Sequence, residues 1–237
     1  MSKLNKQVIL LKISGESLGK NTKSQIISII NQIKELKKKY SIGIVLGGGN
    51  ILRGANVSNS ILTRQSADIM GMLATVVNSI ALRDGLESYG INTSLYSLIT
   101  MPSIAKTYNI NSVQHDLAKG DVVIFAGGTG NAFFSTDSGV ALRALEINAS
   151  FILMGKNGVD GVYNSDPRIN KKAKRYSLIS YDKIIYDNLK VIDITAAALL
   201  KDSKIKIIVF NANRNKCFVN AIANKIPTTI ISKLGKM

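Results

Sequence analysis

Three short apolar runs in this chain each end in glycines and small polar residues: Lys12-Ile13-Ser14-Gly15-Glu16-Ser17, Gly47-Gly48-Gly49-Asn50 with Arg53 three residues on, and Gly127-Gly128-Thr129-Gly130-Asn131. Glycine lets backbone N–H groups approach an anion closely, and a helix starting after such a turn adds the positive end of its dipole. Any one of these segments alone could be a tight turn. Three of them, two with a Lys or Arg, point to a phosphate-bearing ligand. The two familiar phosphate motifs do not fit. Gly15 to Lys20 leaves three residues between its glycines where a Walker A loop needs four. Gly47-x-Gly49 runs on to Leu52, and Gly128-x-Gly130 to Phe133, where a dinucleotide fingerprint wants a small residue.

Such loops need rigid elements behind them. Val8 to Ile13, Ile42 to Leu46, Ile91 to Tyr96, Val122 to Ala126, Ser150 to Met154, Ile205 to Phe210 and Thr228 to Ser232 read as short strands buried on both faces. Helical periods lie between them. The clearest places Ile26, Ile29, Ile30, Ile33 and Leu36 on one face, and others run from about Ile61 to Tyr89, Asp137 to Ile147, Ser180 to Leu189, Thr195 to Ser203 and Arg214 to Asn224. Strands alternating with helices predict an α/β fold, a three-layer α/β/α sandwich around a mostly parallel sheet, in one domain covering residues 1–237. In such sheets ligands sit beyond the carboxyl ends of the strands, where all three glycine segments fall. The Gly158 to Asn164 stretch reads as a turn or hairpin inserted into this alternation.

Composition removes several classes of function. One Cys and one His exclude a disulfide framework and a Cys/His zinc site, and imply a reducing compartment. His115 and Cys217 read as bystanders. The longest uninterrupted apolar stretches fall far short of the roughly 18 residues a membrane span needs, and the polar, basic start of the chain lacks a signal-peptide core, so a cytoplasmic protein is expected. The excess of 31 Lys+Arg over 15 Asp+Glu, a net charge of +16, raises polyanion binding. The runs Lys37 to Lys39, Lys171 to Arg175 and Lys201 to Lys206 lack interleaved aromatics, however, and read more simply as solvated faces.

The chain resembles the bacterial uridylate (UMP) kinases of the amino-acid-kinase superfamily. The resemblance rests on Leu11 to Glu16, Gly47 to Asn50 with Arg53-Gly54, Ala67 to Thr75, Gly128 to Asn131 with Phe133, Phe134, Thr136 and Asp137, and Asp160 to Tyr163 with Asp166-Pro167. These segments occur in the family's order from about Gln7 to Ser232. The Met-Gly-Met-Leu-Ala-Thr run and the Phe-Phe-x-Thr-Asp segment separate this group from amino-acid and carbamate kinases.

The resemblance implies ATP-dependent phosphorylation of UMP to UDP by direct in-line transfer, in pyrimidine nucleotide synthesis. It implies catalytic roles for Lys12, which would stabilise the transferring phosphoryl group, and for Asp137, which would orient Lys12 or the metal-bound phosphates. ATP would be held by Lys12, Ile13, Ser14, Gly15, Gly49, Arg53, Asn157, Tyr163 and Asp166, and UMP by Gly48, Asp68 and the segment Thr129, Gly130, Asn131, Ala132, Phe133, Phe134, Ser135 and Thr136. The UMP half of the site would lie mainly in the N-terminal part of the chain and the ATP half in the C-terminal part. Other readings stay open for several of these residues: a helix N-cap for Asp137, a solvated helix carboxylate for Asp68, a packed hairpin aromatic for Tyr163. Ala132 and Ser135 replace the family's usual Pro and Thr. Asp193 matches a further family acid whose role the sequence leaves undefined.

No metal cage is legible, and Mg²⁺ is expected on the nucleotide as MgATP. The resemblance also implies a homohexamer built through the long helix from about Ile61, and feedback inhibition by UTP. Against the resemblance, in which GTP-activated members commonly carry an extra glycine-containing stretch before the first long helix, Leu18 to Thr22 passes almost directly from the Ser-Gly-Glu motif into that helix. Arg83-Asp84 matches a pair near the effector site of GTP-responsive members, but the short segment outweighs it and GTP activation is expected to be weak or absent. Two alternatives remain. One is another superfamily kinase acting on a small carboxylate; the other is a basic nucleic-acid-binding regulatory protein on the same fold.

Overall fold

A computed structural model describes residues 6–18, 22–52 and 62–235. Its centre is β1 (Gln7–Ile13), whose alternate side chains pack into opposite cores: Ile9, Leu11 and Ile13 on one side of the sheet, Leu10 on the other. Such two-sided burial requires helices on both faces. Next to β1 lie β2 (Tyr40–Leu46) and, on the other flank, β6 (Phe151–Lys156), both parallel to it. With β3 (Thr93–Ser97), β4 (Lys106–Thr107), β5 (Val122–Ala126), β7 (Leu178–Ser180), β8 (Lys206–Asn211) and β9 (Thr228–Ser232), the sheet runs β4-β3-β5-β2-β1-β6-β8-β9-β7. Among the described residues every pairing between these strands is parallel except β8 with β9.

Helices α1 (Thr22–Leu36), α2 (Arg64–Ser88) and α7 (Cys217–Ile222) cover one face, burying Ile30, Ile33, Leu82, Leu86 and Phe218. On the other face α3 (Ile110–Lys119), α4 (Thr136–Glu146), α5 (Tyr181–Tyr186) and α6 (Ile194–Leu200) bury Val113, Val140, Ala144, Ile184 and Leu200. The result is the expected α/β/α sandwich around a mostly parallel sheet.

Strand direction is where the sequence reads best, because fully buried strands must be apolar throughout. Between Tyr96 and Val122 the periodicity predicts no element, yet β4 and α3 lie there. Helix α3 inserts only Val113, Leu117 and Asp116 deeply, too sparse a stripe to stand out. Its limits are written instead in its caps. The Asn109 side chain accepts from the Ser112 N–H, and Gly120 closes the helix at φ 99°. Asp137 is not the N-cap of α4; Ser135 is, accepting from the N–H groups of Asp137 and Ser138.

Helix α2 is long and apolar enough, by length and composition, to cross a membrane. It behaves as a core helix on one side, burying Ala67, Ala74, Thr75, Val76, Asn78, Ser79, Leu82 and Leu86. The turn expected from Gly158 to Asn164 is part of a wider excursion: Tyr163 bridges antiparallel to Arg175, and Tyr176 N–H donates to the Val162 carbonyl.

Candidate active site

The chain leaves β1 toward β2 on one side, while β6 and β8 continue the sheet on the other, so the strand order reverses between β1 and β6. At such a point the loops beyond the strands part and leave a crevice. Here it is a cleft of about 320 Å³ lined by Lys12, Ser14, Gly15, Glu16, Gly47 to Gly49, Thr136, Gly155, Lys156 and Asn157.

Lys12 and Lys156 come from the carboxyl ends of these adjacent strands, and Asp137, in the first turn of α4, lies between them. Lys12 Nζ is 3.3 Å from Asp137 Oδ1, and Lys156 Nζ is 3.5 Å from Oδ2. The first contact attracts through charge but lacks hydrogen-bond geometry, so Asp137 Oδ1 is a buried oxygen without a hydrogen-bond partner among the described residues. Burial by itself would raise the Asp137 carboxyl, but Lys12 and then Lys156 outweigh it and hold it below the ordinary carboxylate range. Burial lowers the Lys156 ammonium, Asp137 pulls it back up, and Lys12 lowers it again, leaving it below a free lysine. A carboxylate clamping two cations at the mouth of a cleft can present both to a charged group that enters.

The glycine turns bring the backbones together. Gly47 N–H donates to the Ile13 carbonyl, and a Cβ on Gly15 would lie 2.7 Å from the Gly47 carbonyl and 2.8 Å from Gly49 N. A Cβ on Gly49 would meet no heavy atom within 4 Å among the described residues. Ser14 Oγ, at the cleft wall, is a second buried oxygen without a hydrogen-bond partner among the described residues. Asn157 donates to Glu16 Oε2 at 2.5 Å across the β1–β6 gap.

Beside this cleft lies the turn after β5. Gly127, Gly128, Gly130 and Phe133 all have positive φ. Thr129 Oγ1 accepts from Asn131 N–H and donates to the Asn131 carbonyl, folding the turn on itself. Phe133 and Phe134 are exposed, and Ala132 lies between them and Asn131. Asp68 on α2 accepts from Phe133 N–H at 2.8 Å while Arg64 pairs with it from behind, so this carboxylate holds the turn in place.

Thus Lys12, Ser14, Gly15, Gly48, Gly49, Thr136 and Asn157 share one cleft with Asp137 beside it, and Gly130, Asn131 and their neighbours form the adjacent loop. The Ile13 side chain is buried in the core, leaving only its backbone near the turns. Tyr163 and Asp166 lie in the excursion after β6, outside the cleft lining. Tyr163 donates to Asp160, which is the main cause of its raised phenol pKa, and Asp166 holds Arg168. Arg53 lies outside the described residues.

Sequence reasoning passed over Lys156. The signal was the same as for Lys12: a lysine ending an otherwise apolar strand. The structure also gives Asp193 a position. It accepts from the hydroxyls of Ser135 and Ser138 and from Ala196 N–H, tying the start of α4 to the start of α6.

Asp137 Oδ1 and Ser14 Oγ are hard oxygen donors of the kind magnesium takes. Among the described residues no group of three or more His, Cys, Asp or Glu could form a cage. The donor set therefore fits a cation that arrives on phosphates, as magnesium does.

Residues 7–211 match the model of the amino acid kinase family. The chain is 42% identical over 235 residues to a uridylate kinase of Ureaplasma parvum, covering 97% of this chain and all of that one. It is 46% identical to a uridylate kinase of Malacoplasma penetrans, over 97% of this chain and 74% of that one. Among solved structures, UMP kinase from Ureaplasma parvum superposes with a TM-score of 0.92 at 41% identity, covering 97% of this chain and all of that one. UMP kinase from Bacillus anthracis gives 0.90 at 33%, covering 98% and 99%.

Proposed function

The chain belongs to the amino acid kinase family, and from that premise we propose that it transfers the γ-phosphoryl group of MgATP to UMP, giving ADP and UDP. The observation that carries this reading is the Lys12–Asp137–Lys156 arrangement at the strand-order reversal, beside the glycine turns that line the same cleft. A UMP phosphate oxygen attacks the γ-phosphorus in line. The bond from that phosphorus to the β–γ bridging oxygen breaks, and the electron pair leaves with ADP. Negative charge spreads over the transferring oxygens, so catalysis is mainly positioning and charge stabilisation. Lys12 and Lys156 supply cations from two sides. Asp137 keeps them apart and aimed, and its depressed pKa keeps it ionised at neutral pH. Magnesium, when bound, would neutralise phosphate charge, with Asp137 Oδ1 and Ser14 Oγ as the nearby oxygen donors.

On this reading Gly15, Gly49 and Asn157 serve the ATP side, and Gly48 with the turn from Thr129 to Thr136 serves UMP, Asp68 acting through its bond to Phe133. UTP would compete for the UMP half of the site. The enzyme would work in pyrimidine nucleotide synthesis in the cytoplasm, as a hexamer assembled on α2, whose outer face leaves Ile69, Met70, Leu73 and Val77 exposed. GTP would have little effect; most of the short segment on which that rests, residues 19–21, lies outside the described residues.

A coupled assay for ADP, run with each nucleoside monophosphate and with acetylglutamate, aspartate and carbamate, tests the reading. UMP should be the preferred acceptor, with UTP competitive against it and GTP changing the rate less than about twofold, a coupling under about 0.4 kcal/mol. Turnover of a carboxylate in place of UMP would overturn it.

A further inference from the structure

Helix α2 contributes none of the residues lining the cleft, yet both nucleotide turns beside it hang from one buried strip of this helix. Thr75, 4% exposed, accepts from Gly127 N–H at 2.8 Å and donates to the Met72 carbonyl at 2.7 Å. One turn farther along, Asn78, 5% exposed, donates to the Gly47 carbonyl at 2.7 Å and to Asn50 Oδ1 at 2.8 Å, while Asn50 Nδ2 returns a bond to Asn78 Oδ1 at 3.2 Å. Residues three apart lie on the same helix face. Turns leaving the neighbouring strands β2 and β5 are thus pinned about one helical turn apart.

Close backbone packing reinforces the two polar pins. A Cβ on Gly48 would come within 2.7 Å of Ala74 Cβ and 2.8 Å of the Gly71 carbonyl, and one on Gly128 within 3.2 Å of Met72 Cγ. Gly127 and Gly128 also have φ of 82° and 61°, in the left-handed region. An amide held in that conformation needs a fixed acceptor to keep its direction, and Thr75 Oγ1 is the acceptor. The opposite pull is on a carbonyl: Asn78 binds the Gly47 oxygen and so fixes the peptide that joins Gly47 to Gly48, two of the residues that line the cleft.

We infer that Thr75 and Asn78 are positioning residues that set the separation of the Gly47–Gly49 and Gly127–Gly130 turns, and through it the affinity for UMP. The inference rests on the proposed UMP kinase activity. It assigns neither residue a contact with substrate. Its consequence is a division of labour: Lys12, Lys156 and Asp137 govern the chemical step, whereas the α2 strip governs how well the acceptor nucleotide is held for it.

The test is steady-state kinetics on the full chain with Thr75→Val, Thr75→Ser and Asn78→Ala, each checked by circular dichroism and thermal melting. Val keeps the shape of Thr and removes the hydroxyl, with it the acceptor for Gly127 N–H and the local bond to the Met72 carbonyl, so a several-fold rise in the KM for UMP with kcat within about twofold is expected, and Ser, which restores both bonds, should restore the wild-type KM. Asn78→Ala should raise the same KM. Amide hydrogen exchange provides a readout besides activity: Gly127 should exchange faster in Thr75→Val and at the wild-type rate in Thr75→Ser. A Thr75→Val protein that melts lower but keeps the wild-type KM overturns the inference, as does one in which Ser fails to rescue. If Asn78→Ala does not fold, the Thr75 pair and the exchange rates decide alone. Absence of UMP turnover by the wild type would instead defeat the proposed function, a result distinguishable from unchanged variants of an active enzyme.

Discussion

Lys12 and Lys156 share one carboxylate, and that arrangement decides what losing one of them does. Removing a partner from an isolated buried ion pair strands a charge and costs about 3–5 kcal/mol of stability. Here Asp137 keeps Lys156 when Lys12 is cut back, so Lys12→Ala should fold with a nearly unchanged melting temperature. Its turnover should fall by about 10²- to 10³-fold, the usual effect of deleting one preorganised group that stabilises a transition state. Stopped-time assays with a parallel melting curve check both halves. Retention of more than about a tenth of wild-type turnover, a loss under ~1.4 kcal/mol, would remove Lys12 from the chemistry. The sequence made Lys12 legible because a charge at the end of an apolar strand is conspicuous. It left the roles of Asp137 and Asp68 open, since an acid near a helix start can cap, solvate or clamp. Ser135 takes the cap and Lys12 and Lys156 take the charge of Asp137, while Asp68 takes a loop N–H. Those partners come from 65 or more residues away in the chain in the cases of Lys12 and Phe133, beyond any local pattern.

At the scale of elements, the start of α4 depends on Asp193. Its carboxylate gathers two serine hydroxyls from α4 and its cap while capping α6 through Ala196 N–H. Asp193→Ala should cost at least the ~1 kcal/mol of a lost N-cap. Because Asp137 sits in the first turn of α4, turnover should fall as well; urea denaturation together with the ADP assay reads both effects, and unchanged stability would deny the tie. A second element-level device holds the edge of the sheet. Asp116 on α3 accepts from the Tyr96 hydroxyl at 2.7 Å and from Lys106 of β4 at 2.8 Å. Burial would raise this carboxyl, but its hydrogen bonds from Lys106, Tyr96 and Ser94 prevail and bring it to about 2. A folded-state value below the unfolded one, about 3.9, means stability present above pH ~4 and lost as the pH falls toward 2. Melting temperature measured from pH 5 to 2 should therefore drop less steeply in Asp116→Asn than in the wild type, from a lower plateau. An equal slope would show that Asp116 is not held in this way.

For the molecule as a whole, charge and apolar surface make different demands. Lys34 in α1, Lys119 in α3 and Lys183 in α5 sit in the last turns of their helices, where cations complement the negative helix termini. Lys6 donates to the Lys37 carbonyl just beyond α1. Part of the +16 charge thus has a local structural use without a polyanion partner. The outer face of α2 has no such local use. Ile69, Met70, Leu73 and Val77 are between 39% and 57% exposed on a helix whose other side holds the glycine turns after β2 and β5. If the proposed hexamer assembles on this face, Leu73→Lys with Val77→Lys should give smaller species than the wild type in size-exclusion chromatography with light scattering, without unfolding the chain. An unchanged mass would place the subunit contacts elsewhere.

What the sequence by itself determined was the layered α/β plan, the strands other than the short β4 and β7, and the glycine turns with Lys12. These are properties of short range: a strand buried on both faces must be apolar along its length, and a tight turn at positive φ favours glycine, as at Gly127, Gly128 and Gly130. Tertiary structure alone decided which turns meet and what each acid does. Lys156 became a partner of Asp137 only because β6 lies against β1, a pairing between residues far apart in the chain. Thr75 and Asn78 look like ordinary polar residues in an apolar helix until β2 and β5 bring their glycine turns beneath it. Register between distant strands is set by the total packing of both faces, and no local pattern encodes that sum.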